Sequence, residues 1–405
     1  AGAAALGAAG LWLRRLGGPG GEAPAAPDAG TPPAGEWRAA WISYIELQGM
    51  DYTSAEAFRA GAAAMMDRCA GLGLNTVIVQ VRPFGDALYP SALFPWSHIC
   101  TGVQGVSPGF DALDILLTEA HSRGLSFEGW INPYRLQASA SSPGTLAADN
   151  LANTHPDWVA AAGGGLYLNP AIPEAAAYVV EGVAELVRTY PVDGVHFDDY
   201  FYPTTDPAID AARFAASGAA DLAEWRRQNV TALVKAAHDA VKAADPTLRF
   251  GVSPQGNPDN DMSQQYSDVR GWLAAGSEDA VVDYLCPQLY WGYGYTLSNG
   301  SRRFAYENIL AEWLAMPRGS AALYVGLGAY RIGEGDGGSN GDSVSGWSTG
   351  RALADQVGTL RAAGAGGYAL YRYGSLFQNT AWPQLAEAEC AALTAANAPD
   401  GGRAG

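Results

Sequence analysis

Basic residues are scarce: 24 Lys plus Arg stand against 41 Asp plus Glu in 405 residues, a formal net charge of −17. A nucleic-acid binder needs cationic surface to displace counterions from phosphates, and a polybasic hold on an anionic membrane needs the same, so both classes are excluded. Cysteine is scarcer still. Cys69, Cys100, Cys286 and Cys390 are far apart and show no CxxC or Cys/His spacing, which leaves neither a zinc site nor a disulfide-dense scaffold. They read as buried free thiols, with Cys69 to Cys100 as the alternative of a single bridge. The five histidines are scattered, so no metal and no cofactor is expected. No GxGxxG or P-loop follows an early strand. No apolar run approaches the roughly 20 residues that cross a bilayer.

What is abundant is apolar and aromatic. Hydrophobic residues make up 48% of the chain and aromatics 11%, including 12 Trp and 20 Tyr, enough for a large core and against disorder throughout. Most of these rings are packing, but aromatic-rich clefts also bind the apolar faces of sugars. Length alone suggests two or three domains, yet one α/β barrel with long loops also fits. Residues 1–35 differ from the rest: AAALGAAGLWLRRLGG is apolar and then basic, and a Gly/Pro/Ala tract follows that reads as a disordered linker. That run reads equally as the remnant of a signal or membrane anchor and as plain Ala-rich coil. Residues 36–397 form the expected folded domain and 398–405 a disordered tail.

Within that domain β-like and helix-like runs alternate. The strand candidates are 39–47, 75–82, 126–133, 194–200, 249–255, 281–290, 322–330 and 366–373. Amphipathic, Ala-rich segments at 54–71, 111–123, 174–189, 221–244, 266–275, 304–315, 350–363 and 383–395 lie between them. Ser54 is a candidate N-cap with an incomplete capping box, and Pro173 with Glu174 marks another helix start. Eight alternations predict an α/β fold, a (β/α)8 TIM barrel with long βα loops; a doubly wound sheet is the alternative.

A barrel sorts residues, because side chains alternate between helix layer and barrel axis. In GVHFDDY, Val195 and Phe197 suit the helix side, so His196 and Asp198 point inward, Asp198 at the C-terminal mouth. The same parity turns inward Gln80 and Arg82, then Glu128, Trp130 and Asn132, then Ser253 and Gln255, then Cys286, Gln288 and Tyr290. Tyr44 and Glu46 share one face of the first strand, and Tyr330 ends the seventh. Inward polar groups must meet water or ligand, and barrel enzymes place their chemistry at the mouth. Gln80 and His196 read as satisfied core groups; Asp198 has no packing value there and reads as functional.

The strings NTVIVQVRPFGDALYPSALFPWS, WINPYR, YLNPA, VDGVHFDDYFYP, WRRQNV, FGVSPQGN and CPQLYWGY resemble the bacterial glycosyl-hydrolase-like family 10, in chain order from about Glu36 to Leu393. The resemblance implies a secreted or envelope-anchored TIM-barrel glycosidase acting on an amino-sugar polymer, peptidoglycan glycan strands foremost, and it tilts the N-terminus toward an export segment plus linker. Polysaccharide is the implied partner. One departure stands out: the family usually carries His-Ala where this chain has Glu128-Gly129, so no role for Glu128 carries over. DGVHFDDY is also similar to the DGxDxDxE signature of chitinase-type barrels, with Asp193 and Asp198 matching. His196 and Tyr200 replace the second Asp and the Glu.

Glycoside hydrolysis commonly uses two carboxyls, and N-acetylated sugars allow a substrate-assisted variant. Asp198 is the first candidate. Asp199 joins it only if it has already left the strand, and Glu46 is a further catalytic candidate. Arg82, Asp86, Glu128, Asn132, Arg135, Tyr200, Gln255, Gln288, Tyr290, Trp291 and Tyr330 are the substrate-binding candidates, with the loop 82–110 as one cleft wall. The segment 334–348 reads as a rim loop, without the spacing of a calcium site. A non-catalytic polysaccharide-binding barrel, deacetylation and lyase cleavage remain as alternatives.

Overall fold

The computed structural model describes residues 32–339 and 346–398. Residues 1–31, 340–345 and 399–405 lie outside them, and so does most of the expected N-terminal segment and tail.

Eight parallel strands alternate with eight principal helices. The strands are β1 (Trp37–Ile42), β2 (Thr76–Arg82), β3 (Ser126–Ile131), β4 (Gly194–Phe197), β5 (Arg249–Val252), β6 (Tyr284–Leu285), β7 (Ala322–Leu323 continued by Val325–Gly328) and β8 (Gly367–Tyr371). Each pairs with its neighbour. β7 bonds β6 through its first half and β8 through its second, and β8 pairs with β1, so the sheet closes. The helices are α1 (Ala55–Gly71), α2 (Ala112–His121), α3 (Pro173–Thr189), α4 (Leu222–Ala244), α5 (Val269–Ala274), α6 (Tyr306–Leu314), α7 (Ala352–Ala362) and α8 (Pro383–Asn397). This is the TIM barrel that the alternation predicts.

Local chemistry explains the boundaries. Ser54 accepts from Ala57 N at 3.1 Å and starts α1. Pro173 occupies the first turn of α3, where its missing N–H costs nothing. The first strand ends earlier than its apolar run suggests, at Ile42. Ser43 caps a short helix, Tyr44–Gln48, and Glu46 reaches back to the Ser43 N–H in a complete capping box. An antiparallel sheet of Arg135–Gln137, Val159–Ala162 and Gly165–Leu168 fills the β3–α3 connection.

Two cores separate as alternation requires. The outer one, between sheet and helices, takes Val77, Val79, Val81, Phe127, Ile131, Val195, Phe197, Phe250 and Val252. The inner one holds Trp37, Ala39, Trp41, Ile78, Trp130, Tyr284, Cys286 and Ala369. Barrel interiors usually rely on Val, Ile and Leu; here large aromatics fill the axis. All four cysteines are free, Cys69, Cys100 and Cys286 buried and Cys390 partly so. Among the described residues no helix is long and apolar enough to cross a membrane.

Candidate active site

The strand ends surround a cleft of about 440 Å³ lined by Trp41, Trp130, Asp198, Asp199, Tyr200, Ser253, Gln288, Tyr290, Tyr330, Tyr371 and Arg372. A larger share of apolar lining belongs to a groove between α3 and α4, remote from any carboxyl pair. The mouth cleft combines two adjacent carboxyls with the exposed rings of Tyr200 and Tyr330.

Asp198 follows the last residue of β4 and is 6% exposed. Its Oδ2 accepts from Trp130 Nε1 at 3.0 Å and from Asn132 Nδ2 at 3.2 Å, and its Oδ1 accepts from Tyr200 N at 3.2 Å. Both donors on Oδ2 come from the inward row of β3 and its end, which is why Glu128, Trp130 and Asn132 alternate as they do. β4 stops at Phe197, so Asp199 has left the strand and turns into the same cleft. Gln288 Nε2 donates to Asp199 Oδ1 at 3.0 Å and to Ser253 O at 3.1 Å. Gln255 pairs with Gln288 across an isolated bridge and adds a side-chain bond to Asp199.

Burial pushes the Asp198 carboxyl up to about 7. The neighbouring Asp199 charge adds to this, against Arg135 and the Trp130 and Tyr200 hydrogen bonds. Burial also raises Asp199, held back by Gln288 and Gln255. Adjacent, unequal carboxyls can divide proton-holding and anionic roles between them. Arg135 stands over them with its Asn132-bound backbone, its guanidinium 4.7 Å from the Phe84 ring and 5.4 Å from Tyr200. On the far side Tyr290 stacks on Tyr371 at 5.5 Å, and Tyr330 meets both rings edge-on. Tyr200 and Tyr330 are the exposed rings of the rim.

Four sequence candidates lie elsewhere. Arg82 does not face the axis. The register shifts between Gln80 and Arg82, so Arg82 pairs with the outward Ile131 and its parity is reversed. It lies buried beneath α3 with its guanidinium 4.3 Å from the Phe94 ring. Gly182 of α3 makes room: a Cβ there would clash with Arg82 Nη1 and approach Phe94 Cε2 to 2.6 Å. Gly182→Ala should therefore lower stability by about 1–3 kcal/mol through overpacking, despite the roughly 1 kcal/mol that alanine gains over glycine in a helix. Denaturant unfolding checks this, and an unchanged midpoint contradicts it.

Asp86 is fully buried inside the loop after β2, where Oδ2 receives His98 Nδ1 and Gln104 Nε2, each at 2.9 Å. It braces that loop and lines no cleft. Trp291 turns away from the mouth and stacks on Phe304 at 5.0 Å. Glu128 points inward as expected but lies about 13 Å below Asn132 at the strand rise of about 3.3 Å per residue. It borders a separate pocket at the lower end of the barrel with Arg249, Asp193 and Tyr324.

Glu46 also differs from expectation. It belongs to a helix rather than a strand, and its carboxylate is taken up by Ser43, Gly374 N and an ion pair with Arg372. That ties the end of β1 to the end of β8, a wall rather than a reacting group. Gln80 accepts from Tyr44 N at 3.1 Å and His196 is fully buried, both as satisfied core groups. Trp41, Tyr371 and Arg372 line the cleft without having been singled out for it. The signal for Trp41 was the Ser43-x-x-Glu46 capping box, which ends the strand and leaves Trp41 as its last inward side chain. Of 334–348, the described part shows Asp336 accepting from Gly292 N at 2.7 Å. Among the described residues no group of His, Cys, Asp or Glu could hold a metal ion.

A profile described as glycosyl hydrolase-like 10 matches residues 36–340. "Glycosyl hydrolase YngK" of Bacillus subtilis (strain 168) is 37% identical over 323 residues, 73% of this chain and 61% of that protein. "Glycosyl hydrolase DigH" of Escherichia coli (strain K12) is 36% identical over 299 residues, 66% of this chain and 65% of that protein. The chain thus spans less than two thirds of the length of these curated relatives. Among solved structures, the glycoside hydrolase domain of PgaB (BpsB) from Bordetella bronchiseptica superposes with a TM-score of 0.55 at 14% identity, covering 88% of this chain and 99% of that one. The catalytic domain of β-amylase from Paenibacillus polymyxa gives 0.54 at 11% identity, covering 90% and 99%. These two likenesses concern the fold, which is that of glycoside-hydrolase barrels. With its matched profile and its relatives, this chain belongs to the glycosyl hydrolase-like 10 family.

Proposed function

We propose that the protein is a glycosidase that cleaves an N-acetylhexosamine-containing bacterial polysaccharide, with peptidoglycan glycan strands as the substrate, outside the cytoplasm. One observation carries the reading: two adjacent carboxyls, both raised by burial, on the floor of an aromatic-walled cleft.

Asp198 is the proton carrier. Its Oδ2 already serves two donors, so the proton resides on Oδ1, which meets only the Tyr200 N–H. That proton goes to the leaving glycosidic oxygen as the anomeric C–O bond breaks. Asp199 is the anionic member. Because it neighbours Asp198 in the chain, the two are poorly placed on opposite faces of one anomeric carbon. Substrate assistance suits this better: Asp199 orients the acetamido group and the acetamido oxygen attacks. Water then opens the cyclic intermediate and returns a proton to Asp198. Tyr290 and Tyr371 supply apolar faces for the rings, with Trp41 packed edge-on against Tyr371 in the floor beneath.

The pH profile follows from these charges. Cleavage should fall on the alkaline side above about pH 7, as Asp198 loses its proton. Arg135 favours the ionised form, so Arg135→Gln should move that limb to higher pH. A limb that stays in place or moves down contradicts the assignment. Mass spectrometry of digests from purified glycan strands tests the function itself. New reducing ends support hydrolysis; unsaturated ends identify a lyase, and binding without products a lectin-like barrel.

A further inference from the structure

A file of polar side chains runs along the barrel axis from its lower end to the mouth. Trp41 Nε1 lies 3.2 Å from His196 Nε2, and His196 Nδ1 lies 2.8 Å from the Tyr284 hydroxyl. The Tyr284 hydroxyl bonds Glu128 Oε2, and Arg249 Nη1 is 3.6 Å from Glu128 Oε1. Trp41, His196, Tyr284 and Glu128 are each at most 2% exposed, so no bulk water completes their bonding.

Every proton in this file is determined. An indole nitrogen only donates, so His196 Nε2 must be the bare, accepting nitrogen. Burial and the Arg249 charge keep the imidazole neutral, so its one hydrogen sits on Nδ1 and is donated to Tyr284. The tyrosine oxygen is thereby an acceptor, and its own hydrogen must go onward to an acceptor. Glu128 is that acceptor. The direction of donation runs one way, from Trp41 to His196 to Tyr284 to Glu128.

We propose that Glu128 is a positioning residue: by accepting the Tyr284 hydrogen it fixes the His196 tautomer that holds the Trp41 indole in the cleft floor. The functional half of this rests on the glycosidase reading above; the tautomer half stands without it. Without an acceptor at 128, the Tyr284 hydroxyl turns to the one acceptor left to it, His196 Nδ1. The imidazole hydrogen then moves to Nε2 and faces the indole N–H, donor against donor. Trp41 loses this hydrogen bond and keeps only its packing in the inner core and its edge contact with Tyr371 at 5.9 Å. In metal sites, groups that orient a ligand through a hydrogen bond change affinity or activity by about 10–100-fold when removed, and that sets the scale for Trp41.

The test compares Glu128→Gln, which keeps an accepting oxygen, with Glu128→Leu, which does not. Glu128→Met, which keeps the length of glutamate and likewise has no accepting oxygen, replaces Glu128→Leu if that variant fails to fold. Nitrogen-15 spectra of the full chain report the His196 tautomer, and hydrogen exchange reports the Trp41 indole N–H; neither needs a substrate. Glu128→Leu or Glu128→Met should move the hydrogen to Nε2 or speed exchange of the indole N–H. KM for purified glycan strands should rise by about tenfold, with kcat within about threefold. Glu128→Gln should do neither. An unmoved tautomer with protected indole, equal losses in the Gln and Leu variants, or a freed indole with unchanged KM each overturns the proposal. A wild type that releases no products sinks the glycosidase reading instead, and the spectra still decide the file.

Discussion

Asp198→Asn should lower kcat on glycan strands by at least about 10³-fold, the loss expected when a proton-transferring group is removed together with its placement. The same substitution should stabilise the fold at neutral pH. The Asp198 carboxyl is raised from 3.8 to about 7 in the folded chain. Between those values the folded protein holds a proton that the unfolded chain has released, so stability falls as pH climbs through that window. The gap of about three units corresponds to roughly 4 kcal/mol at about 1.36 kcal/mol per unit. An amide at 198 escapes this penalty but presents its NH₂ to the Tyr200 N–H, a mismatch of about 1–3 kcal/mol. The net gain should be about 1–3 kcal/mol at pH 8 and turn into a loss of about 1–3 kcal/mol below pH 4, where the mismatch alone remains, read from denaturant unfolding at both. Retained turnover, or a variant less stable at pH 8 than wild type, contradicts the role given to this side chain.

The largest loss of stability should come from Arg226. This α4 residue lies fully buried and forks onto Asp210, with Nε to Oδ2 at 2.8 Å and Nη2 to Oδ1 at 2.6 Å. It also donates to Thr205 O, Asp206 O and the Tyr266 hydroxyl, between the rings of Tyr202 and Tyr266 at 4.9 Å each. Arg226→Ala leaves the buried Asp210 carboxylate without its cationic partner, a cost of about 3–5 kcal/mol. Arg226→Lys should recover less than half, because one ammonium cannot reproduce the planar fork. Thermal and denaturant unfolding of both variants check this. Since these carbonyls belong to the connection after β4 that begins with Asp198 and Tyr200, kcat should fall along with stability. A loss under 1 kcal/mol contradicts this account.

These residues also show what a sequence conveys. Barrel architecture was legible because each strand–helix pair carries its own period, and β4 placed Asp198 by alternation alone. Trp130 and Asn132 followed from the same rule on β3. Arg82 did not, because a single bulge reverses parity without leaving a pattern in neighbouring residues; the glycine at 182, 100 positions away, was its only trace. Glu46 looks like a strand residue because the apolar run continues past Ile42, although Ser43-x-x-Glu46 spells out a helix start. Depth was illegible too: alternation turns Glu128 inward but does not say that its layer lies below the mouth. WRRQNV carried the resemblance, yet only the fold shows that Arg226 enters the core while Arg227 pairs with Glu224 at the surface.

The most direct test is a crystal structure of Asp198→Asn with an N-acetylhexosamine oligosaccharide. The account predicts a pyranose ring against the Tyr290 and Tyr371 faces, its glycosidic oxygen within hydrogen-bond reach of the side chain at 198 and its acetamido group against Asp199. An oligosaccharide seated elsewhere on the barrel, with the mouth left to solvent, would contradict it.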